Sequence, residues 1–366
     1  MNLAILVGHF PPGAFGGAEL QAEAWARHLA DRHRITVVTR RDPREQPADE
    51  TRDGFRVVRL PVSPLPLVRT ALDLAAIDRA VAAIDPRPDL TLCFQTFISG
   101  LAGVRVQRRL GIPAVVWVRG EGEYRLRVSR RMRALSPRVW TQARGVLVQS
   151  EAIRVELLSE LERVAPGRRA GVASKLEVVP NGLDLPAEVT PRGGRVLSVG
   201  RLIPEKGMDT VIDAVAGIQG LLTIVGVGPE RSRLEARARL HGLDTRFEGF
   251  VTRERLDQLY RDASVVVLAA RFGEGLPNVV LEAFAHGRAV VAADGAHVRE
   301  LVVDGVNGLL VPAGDPRALR DALARLAHER GLAERFGSAG REMAEAFAWS
   351  RVRPRLETVL SRWSGA

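Results

Sequence analysis

The sequence predicts an α/β protein made of two doubly wound domains, in which helices cover both faces of a Rossmann-like parallel sheet. Three observations lead to this fold class. Short runs rich in Val and Ile alternate with helical patterns along all 366 residues. Gly and Pro bound these runs, as is typical of parallel strands buried on both faces. A stretch rich in Pro, Gly and Thr near 183–194 divides the alternation into two similar halves.

The apolar runs of the first half predict strands at 3–8, 35–39, 55–60, 90–94, 114–118 and 146–150. Helical spacing predicts helices at about 17–32, 68–84 and 100–110, and a basic helix before the last of these strands. The second half repeats the pattern, with strands at 195–200, 221–226, 245–250, 265–270, 289–294 and 308–312. Ligands of such sheets bind beyond the carboxyl ends of the strands, so we expect the site in a cleft where the two domains face each other.

The composition favours a globular protein of a reducing compartment, and we expect it in the cytoplasm. Cys93 is the single cysteine, which excludes a disulfide framework and a cysteine zinc site. No stretch approaches the ~18 apolar residues that cross a membrane. The apolar run at 3–7 is too short for the core of a signal peptide.

The net charge of +10 is compatible with nucleic-acid binding, but two features argue against it. Only two of the 53 basic residues are lysines, which indicates a general bias toward Arg, and aromatic residues are too few for base stacking. We therefore expect no nucleic-acid partner. The stretch 125–144 has seven arginines, no acidic residue and interleaved apolar residues. It predicts either peripheral contact with an anionic membrane or a solvated helix face.

The segment from Arg271 to Glu282 follows a predicted strand and opens a helix, so its backbone N–H groups can bind an anion or sugar hydroxyls. Glu282 shares a helix face with Asn278 and lies in an apolar run, where an ionised carboxylate needs a partner. Two vicinal ribose hydroxyls would satisfy it, and so would an arginine or His286. Glu274, eight positions earlier, favours the functional interpretation.

Two other strand-to-helix turns suit phosphate binding. Arg201 and Lys206 lie in one loop and can both reach a diphosphate. Gly16 and Gly17 follow the first strand and allow a close approach of backbone to ligand, although a simple tight turn explains them equally well. Neither this turn nor 226–228 has the spacing of a dinucleotide fingerprint, which makes an NAD-dependent dehydrogenase the weakest alternative.

Several catalytic motifs are absent from the sequence. It has no Asp-x-Asp metal clamp, no Walker loop and no Gly-x-Ser-x-Gly nucleophile elbow. Its seven histidines form no His-Glu-x-x-His pattern. We therefore expect neither a metal site nor a cofactor.

Four segments in this order resemble the retaining glycosyltransferases of family 4, which have the GT-B fold. They are GGAE at 16–19, VPNGLD at 179–184, GRLIPEKG at 200–207 and EGLPNVVLE at 274–282. The resemblance implies an acceptor-side domain at 1–182 and a nucleotide-sugar-binding domain at 183–348. It also implies a C-terminal helix at 349–366 that crosses back to the first domain.

The resemblance further implies roles for single residues. Arg201 and Lys206 would neutralise the donor diphosphate, Glu274 would hold hydroxyls of the transferred sugar, and Glu282 would take the ribose hydroxyls. The glycine pair at 16–17 would close over the diphosphate. Further donor contacts would come from the base-side residues and the turn backbone, namely Phe250, Val251, Gly275, Leu276, Pro277 and Asn278.

One position departs from the family pattern. Many members carry a His after the strand that corresponds to 114–118, whereas Arg119, followed by Glu121 and Glu123, stands here. An arginine at this position would bind an acidic acceptor, or pair with one of the two glutamates. We therefore predict Arg119 and Glu121 on the acceptor side, and a lipid-linked or acidic acceptor.

The resulting hypothesis is a retaining hexosyltransferase that takes its sugar from a UDP- or GDP-sugar and acts in glycolipid, polysaccharide or cell-envelope glycan synthesis. The departing diphosphate would be stabilised by Arg201, Lys206 and amides at a helix N-terminus. Two alternatives remain. A nucleotide-sugar epimerase would alter the donor sugar without an acceptor, and a non-enzymatic basic protein would leave Glu274 and Glu282 unexplained.

Overall fold

The computed structural model describes residues 1–12, 17–41, 46–62, 69–125, 129–190, 193–218, 221–272 and 275–365, with only the backbone of Glu121. The chain forms two compact units. Unit 1 comprises Met1–Gly182 and Trp349–Ala366, and unit 2 comprises Leu183–Ala348. Each unit contains one sheet, which confirms the predicted class of two parallel-sheet α/β domains.

The strands of unit 1 are β1 (Asn2–Leu6), β2 (Arg34–Arg41), β3 (Asp49–Arg52), β4 (Phe55–Pro61), β5 (Leu90–Phe94), β6 (Ala114–Trp117), β7 (Gly145–Val148) and β8 (Leu176–Val178). Their order across the sheet is β3-β4-β2-β1-β5-β6-β7-β8. All neighbouring pairs are parallel except β3 and β4. The strands β5, β6 and β7 are buried along their whole length, as helix cover on both faces requires.

The sequence pattern does not predict β3. Its residues are polar and alternate between exposed and half-buried positions, so no apolar run marks it. It pairs antiparallel with β4 through Asp53 and Gly54, whose φ angles are 49° and 81°. An Asp-Gly dipeptide with positive φ at both positions is the signature of a tight hairpin turn. This dipeptide is therefore the signal by which β3 could have been found.

The helices of unit 1 surround this sheet. They are α1 (Gly17–Ala30), α2 (Arg69–Ala82), α3 (Leu101–Leu110), α4 (Glu121–Tyr124), α5 (Arg130–Gln142), α6 (Glu151–Val164) and α7 (Pro166–Ala173). The predicted helices at 17–32, 68–84 and 100–110 correspond to α1, α2 and α3 within two residues at each end. A π-helical turn, Thr96–Gly100, precedes α3, and within it Ile98 has φ 58°.

Unit 2 has the strands β9 (Arg195–Val199), β10 (Leu221–Val225), β11 (Thr245–Gly249), β12 (Ala263–Leu268), β13 (Ala289–Ala293) and β14 (Gly308–Val311). They form a parallel sheet in the order β11-β10-β9-β12-β13-β14. All six predicted strands of this half are present. The chain order reverses between β9 and β12, which is where a doubly wound sheet binds its ligand.

The helices of unit 2 are α8 (Met208–Ala216), α9 (Arg231–Leu240), α10 (Arg253–Asp262), α11 (Asn278–Ala285), α12 (Ala296–Arg299), α13 (Pro316–His328) and α14 (Leu332–Glu345). Two apolar clusters fill the two faces of the sheet. The last helix of the chain, α15 (Trp349–Ser364), belongs to unit 1. In the described ranges no helix combines the length and the apolarity of a membrane span.

Trp349 fixes the start of α15 in unit 1. Its ring meets the Trp25 ring edge-on at 4.7 Å between centroids and stacks on His28 at 4.0 Å. Gly182 lies against the same indole, where a Cβ would approach ring atoms to 2.3 Å. A side chain at 182 is therefore incompatible with this packing, and the glycine of the VPNGLD segment has a structural reason.

Truncation of this anchor should destabilise unit 1. We expect Trp349→Ala to lower the free energy of unfolding by about 3 to 5 kcal/mol, because it removes a buried indole and leaves a cavity. All five tryptophans of the chain lie in unit 1, so tryptophan fluorescence during urea unfolding reports this unit. Ser361→Ala, at an exposed position of the same helix, should change the midpoint little. Equal midpoints for both variants would contradict the anchoring role.

Candidate active site

The loop after β9 carries the two cations predicted for a diphosphate. Arg201 is exposed, and its guanidinium forms no ion pair within the described part of the chain. Lys206 is half-buried and ends a short 3-10 helix, Pro204–Lys206. Its aliphatic stem passes beside Gly200, 3.8 Å from the position that a Cβ would take there. Both cations thus belong to one loop at the carboxyl end of a central strand.

Close contacts between glycines and backbone carbonyls hold this loop. Gly207 has φ +64°, and a Cβ there would lie 2.1 Å from the carbonyl oxygen of Ala269. Gly226, after β10, has φ +139°, and a Cβ there would lie 1.9 Å from the carbonyl oxygen of Gly200. Both glycines are required by conformation and by space. The loops that follow β9, β10 and β12 are therefore packed backbone against backbone.

Arg271 also ties two of these loops together, and sequence reasoning named it only as the start of a segment. Its backbone N–H donates to the carbonyl oxygen of Glu205 at 2.8 Å, and its Nη1 donates to that of Pro204 at 2.6 Å. Its Nη2 pairs with both oxygens of Asp209 at 2.8 and 2.9 Å. Arg271 therefore fixes the backbone immediately before Lys206.

The turn 275–278 precedes α11, as predicted from its proline. Pro277 is the N-cap residue, and its carbonyl oxygen accepts from Val280 N–H at 3.1 Å. Leu276 and Pro277 are buried, whereas the two ends of the turn are half-buried. The N-terminus of α11 follows the carboxyl end of β12, and Arg271, in the same connection, contacts the loop of the two cations. Two predicted site residues, Gly16 and Glu274, lie outside the described residues.

Glu282 lies on α11 and has two protein partners. Tyr260 Oη donates to its Oε2 at 2.7 Å, and Arg253 Nη1 lies 3.4 Å from its Oε1. Burial raises the pKa of Glu282, while Arg253 and the Tyr260 hydroxyl oppose that shift. The sequence predicted an arginine or His286 as a possible protein partner of this carboxylate, and of these two the partner in the structure is Arg253. His286 instead contacts the backbone carbonyl of Glu282 through Nδ1, at 2.8 Å.

These partners leave Glu282 able to accept further hydrogen bonds. Its side chain keeps 17% of its surface exposed, and each carboxylate oxygen has two lone pairs. Arg253 and Tyr260 were missed by sequence reasoning because both lie on α10, and only the packing of α10 beside α11 brings them to this carboxylate. Asp184, from the VPNGLD segment, adds a favourable electrostatic interaction with Arg253.

Phe250 and Val251 follow the carboxyl end of β11, at the same edge of the sheet. The Phe250 ring is half exposed, and Val251 is partly buried against the core of unit 2. The predicted donor residues of unit 2 that the structure describes thus come from loops after β9, β11 and β12. Whether they bind a donor stays a prediction.

In unit 1, Arg119 follows β6 and is almost completely buried, with 7% of its surface exposed. Its Nη1 donates to Asn181 Oδ1 at 2.5 Å, and its guanidinium lies over the rings of Trp117 and Phe94 at 4.2 and 4.7 Å. No carboxylate of the described residues lies within ion-pairing distance of this guanidinium. The side chain of Glu121 is outside the described part.

Glu123 accepts backbone hydrogen bonds and does not pair with the Arg119 side chain. Its Oε2 accepts from the N–H of Arg119 at 3.0 Å, and its Oε1 accepts from that of Thr96 at 2.8 Å. Burial raises the pKa of Glu123 to about 6, and these N–H donors oppose the shift. Glu123, one of the two glutamates considered as a partner of Arg119, therefore binds the backbone of the β5 and β6 loops and forms no ion pair with the guanidinium.

Gly17 begins α1, and a Cβ there would meet no atom within 4 Å. Packing within the described residues therefore gives no reason for a glycine at this position. Close approach of a ligand remains the predicted reason for the Gly16-Gly17 pair.

The basic stretch 125–144 contains α5, which presents arginines on its outer surface. Arg130, Arg131, Arg133 and Arg138 are exposed, whereas Val139 and Trp140 are buried in the core of unit 1. The expectation that apolar residues of this stretch contact a membrane is wrong for these two, because they pack against the sheet. What remains outside is a charged face.

Two family profiles match the chain. One is described as Glycosyl transferase 4-like domain and matches residues 16–182, and the other is described as Glycosyl transferases group 1 and matches residues 190–343. A GDP-mannose-dependent alpha-mannosyltransferase of Mycobacterium tuberculosis is 29% identical over 85% of this chain and 82% of its own length. An exopolysaccharide phosphotransferase of Streptomyces coelicolor is 29% identical over 95% of this chain. The match spans only 39% of the length of that relative.

Solved structures show the same fold. Sucrose-phosphate synthase from Thermosynechococcus elongatus has a TM-score of 0.84 at 23% identity, and the match covers 99% of this chain and 98% of that one. Anabaena HepE in complex with UDP-glucose has a TM-score of 0.80 at 21% identity, over 99% and 100% of the two chains. The solved structures confirm the predicted GT-B fold. The two profiles confirm the predicted enzyme family, and the chain belongs to the group 1 glycosyltransferases.

Proposed function

We propose that unit 2 binds the diphosphate of a UDP- or GDP-hexose and that the protein transfers the hexose with retention of configuration. The observation that carries the proposal is the placement of Arg201 and Lys206 in one loop at the switch point of the sheet, which Arg271 ties to the segment between β12 and α11. Cations and helix N-terminal amides are the groups that bind phosphates in proteins. The names of the relatives support this donor class, since one uses GDP-mannose and another was solved with UDP-glucose.

In the proposed reaction, charge develops on the diphosphate, which Arg201 and Lys206 bind. As the bond between the sugar C1 and the diphosphate oxygen breaks, positive charge develops on the sugar and negative charge on the leaving diphosphate. Arg201 and Lys206 stabilise the leaving group, in a loop that is already in place before the reaction. The acceptor hydroxyl forms the new bond to C1 on the same face and passes its proton to the departing phosphate oxygen. This route needs no metal ion and no protein nucleophile.

The other predicted residues fit this donor. Glu282 accepts the ribose hydroxyls while Arg253 and Tyr260 hold it, and Phe250 and Val251 lie beside the base. Glu274 holds hydroxyls of the transferred sugar, and the Gly16-Gly17 turn approaches the diphosphate. For the acceptor we propose a hydroxyl of a glycolipid, polysaccharide or cell-envelope glycan.

Loss of either cation should almost abolish turnover. We expect Arg201→Ala and Lys206→Ala each to lower kcat/KM about 100-fold, because one charge contact to the leaving group contributes about 3 kcal/mol to the barrier. A thermal-shift screen of UDP- and GDP-hexoses first identifies the donor, and release of UDP or GDP then measures turnover. Arg239→Ala, at an exposed position of α9, is the matched control and should behave like the wild type. Undiminished turnover in both cation variants would refute the assignment.

Loss of the Glu282 carboxylate should weaken the binding of UDP or GDP. Glu282→Gln keeps the shape of the side chain and removes its charge, so we expect the Kd of UDP or GDP to rise about tenfold, as for the loss of a hydrogen bond to a charged group. Calorimetric titration with both nucleotides measures this change. Tyr260→Phe is the control, because it removes a protein partner and leaves the carboxylate. The ribose role fails if Glu282→Gln binds the nucleotide as tightly as the wild type does.

We further propose that the exposed arginines of α5 contact anionic lipid. Arg130, Arg133, Arg138 and Arg168 line one groove between α5 and α7, with a volume of about 340 Å³. Such a contact is electrostatic, because arginines are exposed on this helix while Val139 and Trp140 are buried, and salt should therefore weaken it.

Vesicle sedimentation tests this contact. The wild type should bind phosphatidylglycerol vesicles but not phosphatidylcholine vesicles, and the triple variant Arg130→Gln, Arg133→Gln, Arg138→Gln should lose most of that binding. The control replaces Arg233, Arg239 and Arg246 of unit 2 by Gln and carries the same change of charge. If both triple variants lose binding equally, overall charge and not this face is responsible.

A further inference from the structure

Arg119 lies where four neighbouring strands of unit 1 end. Phe94 ends β5, Trp117 ends β6, Gln149 follows β7, and Asn181 follows β8 after a short loop. These side chains surround the Arg119 guanidinium. The carboxyl edge of a parallel sheet is the edge at which such domains bind ligands. The arginine is therefore at a ligand-binding position that elements far apart in sequence form together.

The guanidinium is held on three sides. Its Nη1 donates to Asn181 Oδ1 at 2.5 Å. In the orientation of the Gln149 amide that satisfies both its oxygen and its nitrogen, the oxygen accepts from the same Nη1 at 3.2 Å. The Gln149 amide nitrogen in turn donates to the Arg119 carbonyl oxygen at 3.0 Å. The rings of Trp117 and Phe94 cover the guanidinium by cation–π contact. The plane of the arginine is thus fixed before any ligand arrives.

The fourth side has no partner among the described residues. Nε and Nη2 of Arg119 are both buried, and neither has a hydrogen-bond acceptor in the described part of the chain. These two nitrogens lie on one edge of the guanidinium, and their N–H groups are nearly parallel, as two oxygens of one carboxylate or phosphate require. A buried donor left without a hydrogen bond destabilises the folded protein. An oxyanion on this edge would satisfy both donors at once.

Within the described ranges the protein offers no acceptor of its own for this edge. The oxygens of Glu123, the nearest described carboxylate on the same loop, accept from backbone N–H groups of Thr96 and Arg119 itself. Burial lowers the pKa of Arg119 to about 9, while the charges of Glu123 and Glu19 oppose this shift, so the side chain is still a cation at neutral pH. A fixed, charged and half-satisfied arginine is the expected form of a receptor for an anion.

We propose that Arg119 determines substrate specificity by binding a carboxylate or phosphate group of a substrate through Nε and Nη2. The inference rests on the proposed sugar transfer, because it assigns the chemical class of one of its substrates. Both substrates of such a transfer can carry the group: the donor as a uronic acid, or the acceptor as a uronic acid residue or a phosphorylated polyol. Binding of the oxyanion displaces the atoms that now shield this edge.

Matched pairs of charged and neutral ligands test the proposal by calorimetry. The donor pair is UDP-glucuronate and UDP-glucose, and the acceptor pairs are methyl glucuronide with methyl glucoside and inositol 1-phosphate with inositol. We expect the wild type to prefer the charged member of at least one pair about tenfold or more. Arg119→Gln should abolish that preference and leave the neutral member and UDP unchanged. Preference within the donor pair or within an acceptor pair identifies which substrate carries the group.

Two further variants separate specificity from stability. Arg119→Lys keeps the charge and loses the paired donors, so it should retain only part of the preference even if Arg119→Gln fails to fold. Arg108→Gln, at an exposed position of α3, makes the same change of charge and should retain all of it. No preference in the wild type for any pair, or a preference that survives in both Arg119 variants, overturns the proposal. Failure of the donor assignment looks different, because the wild type would then not bind UDP or GDP at all.

Discussion

Close approach of backbone to backbone at the carboxyl edge of unit 2 is the constraint on which the proposed donor site depends. Gly207 and Gly226 stand where carbonyl oxygens of neighbouring loops occupy the space of a Cβ. The loop that carries Arg201 and Lys206 is therefore shaped by main-chain contacts, which stay the same when exposed side chains move. The backbone from which the two cations extend therefore needs no ordering during the reaction, which favours electrostatic stabilisation of a leaving group.

The sequence predicted the strands well because the physical reason for each lies within the strand itself. A parallel strand covered by helices on both faces must be apolar at nearly every position, and β5, β6 and β13 are. β3 lies at the sheet edge, where polar residues are tolerated, so the same criterion missed it. Only its hairpin turn carried a local signal.

Side-chain partners were less predictable than the elements. It follows from solvation that Glu282 and Arg119 need partners when buried, but the identity of the partner depends on which elements pack together. Arg253 and Tyr260 reach Glu282 from α10, and Asn181 reaches Arg119 from a loop 62 residues later in the chain. Neither spacing repeats a helical or strand period, so no local pattern could have indicated it.

This difference separates the candidate residues of unit 2 from those of unit 1. The proposed donor residues of unit 2 lie in contiguous sequence segments, and a resemblance in sequence can suggest their roles position by position. The surroundings of Arg119 come from four strand ends and form no linear motif. One side chain there, that of Arg119, sets the charge of the whole enclosure, because its described neighbours Phe94, Trp117, Gln149 and Asn181 are uncharged. What this enclosure can bind therefore depends on the contacts of Arg119 itself. Among the described residues these contacts leave Nε and Nη2 without an acceptor, and an anion would satisfy both donors.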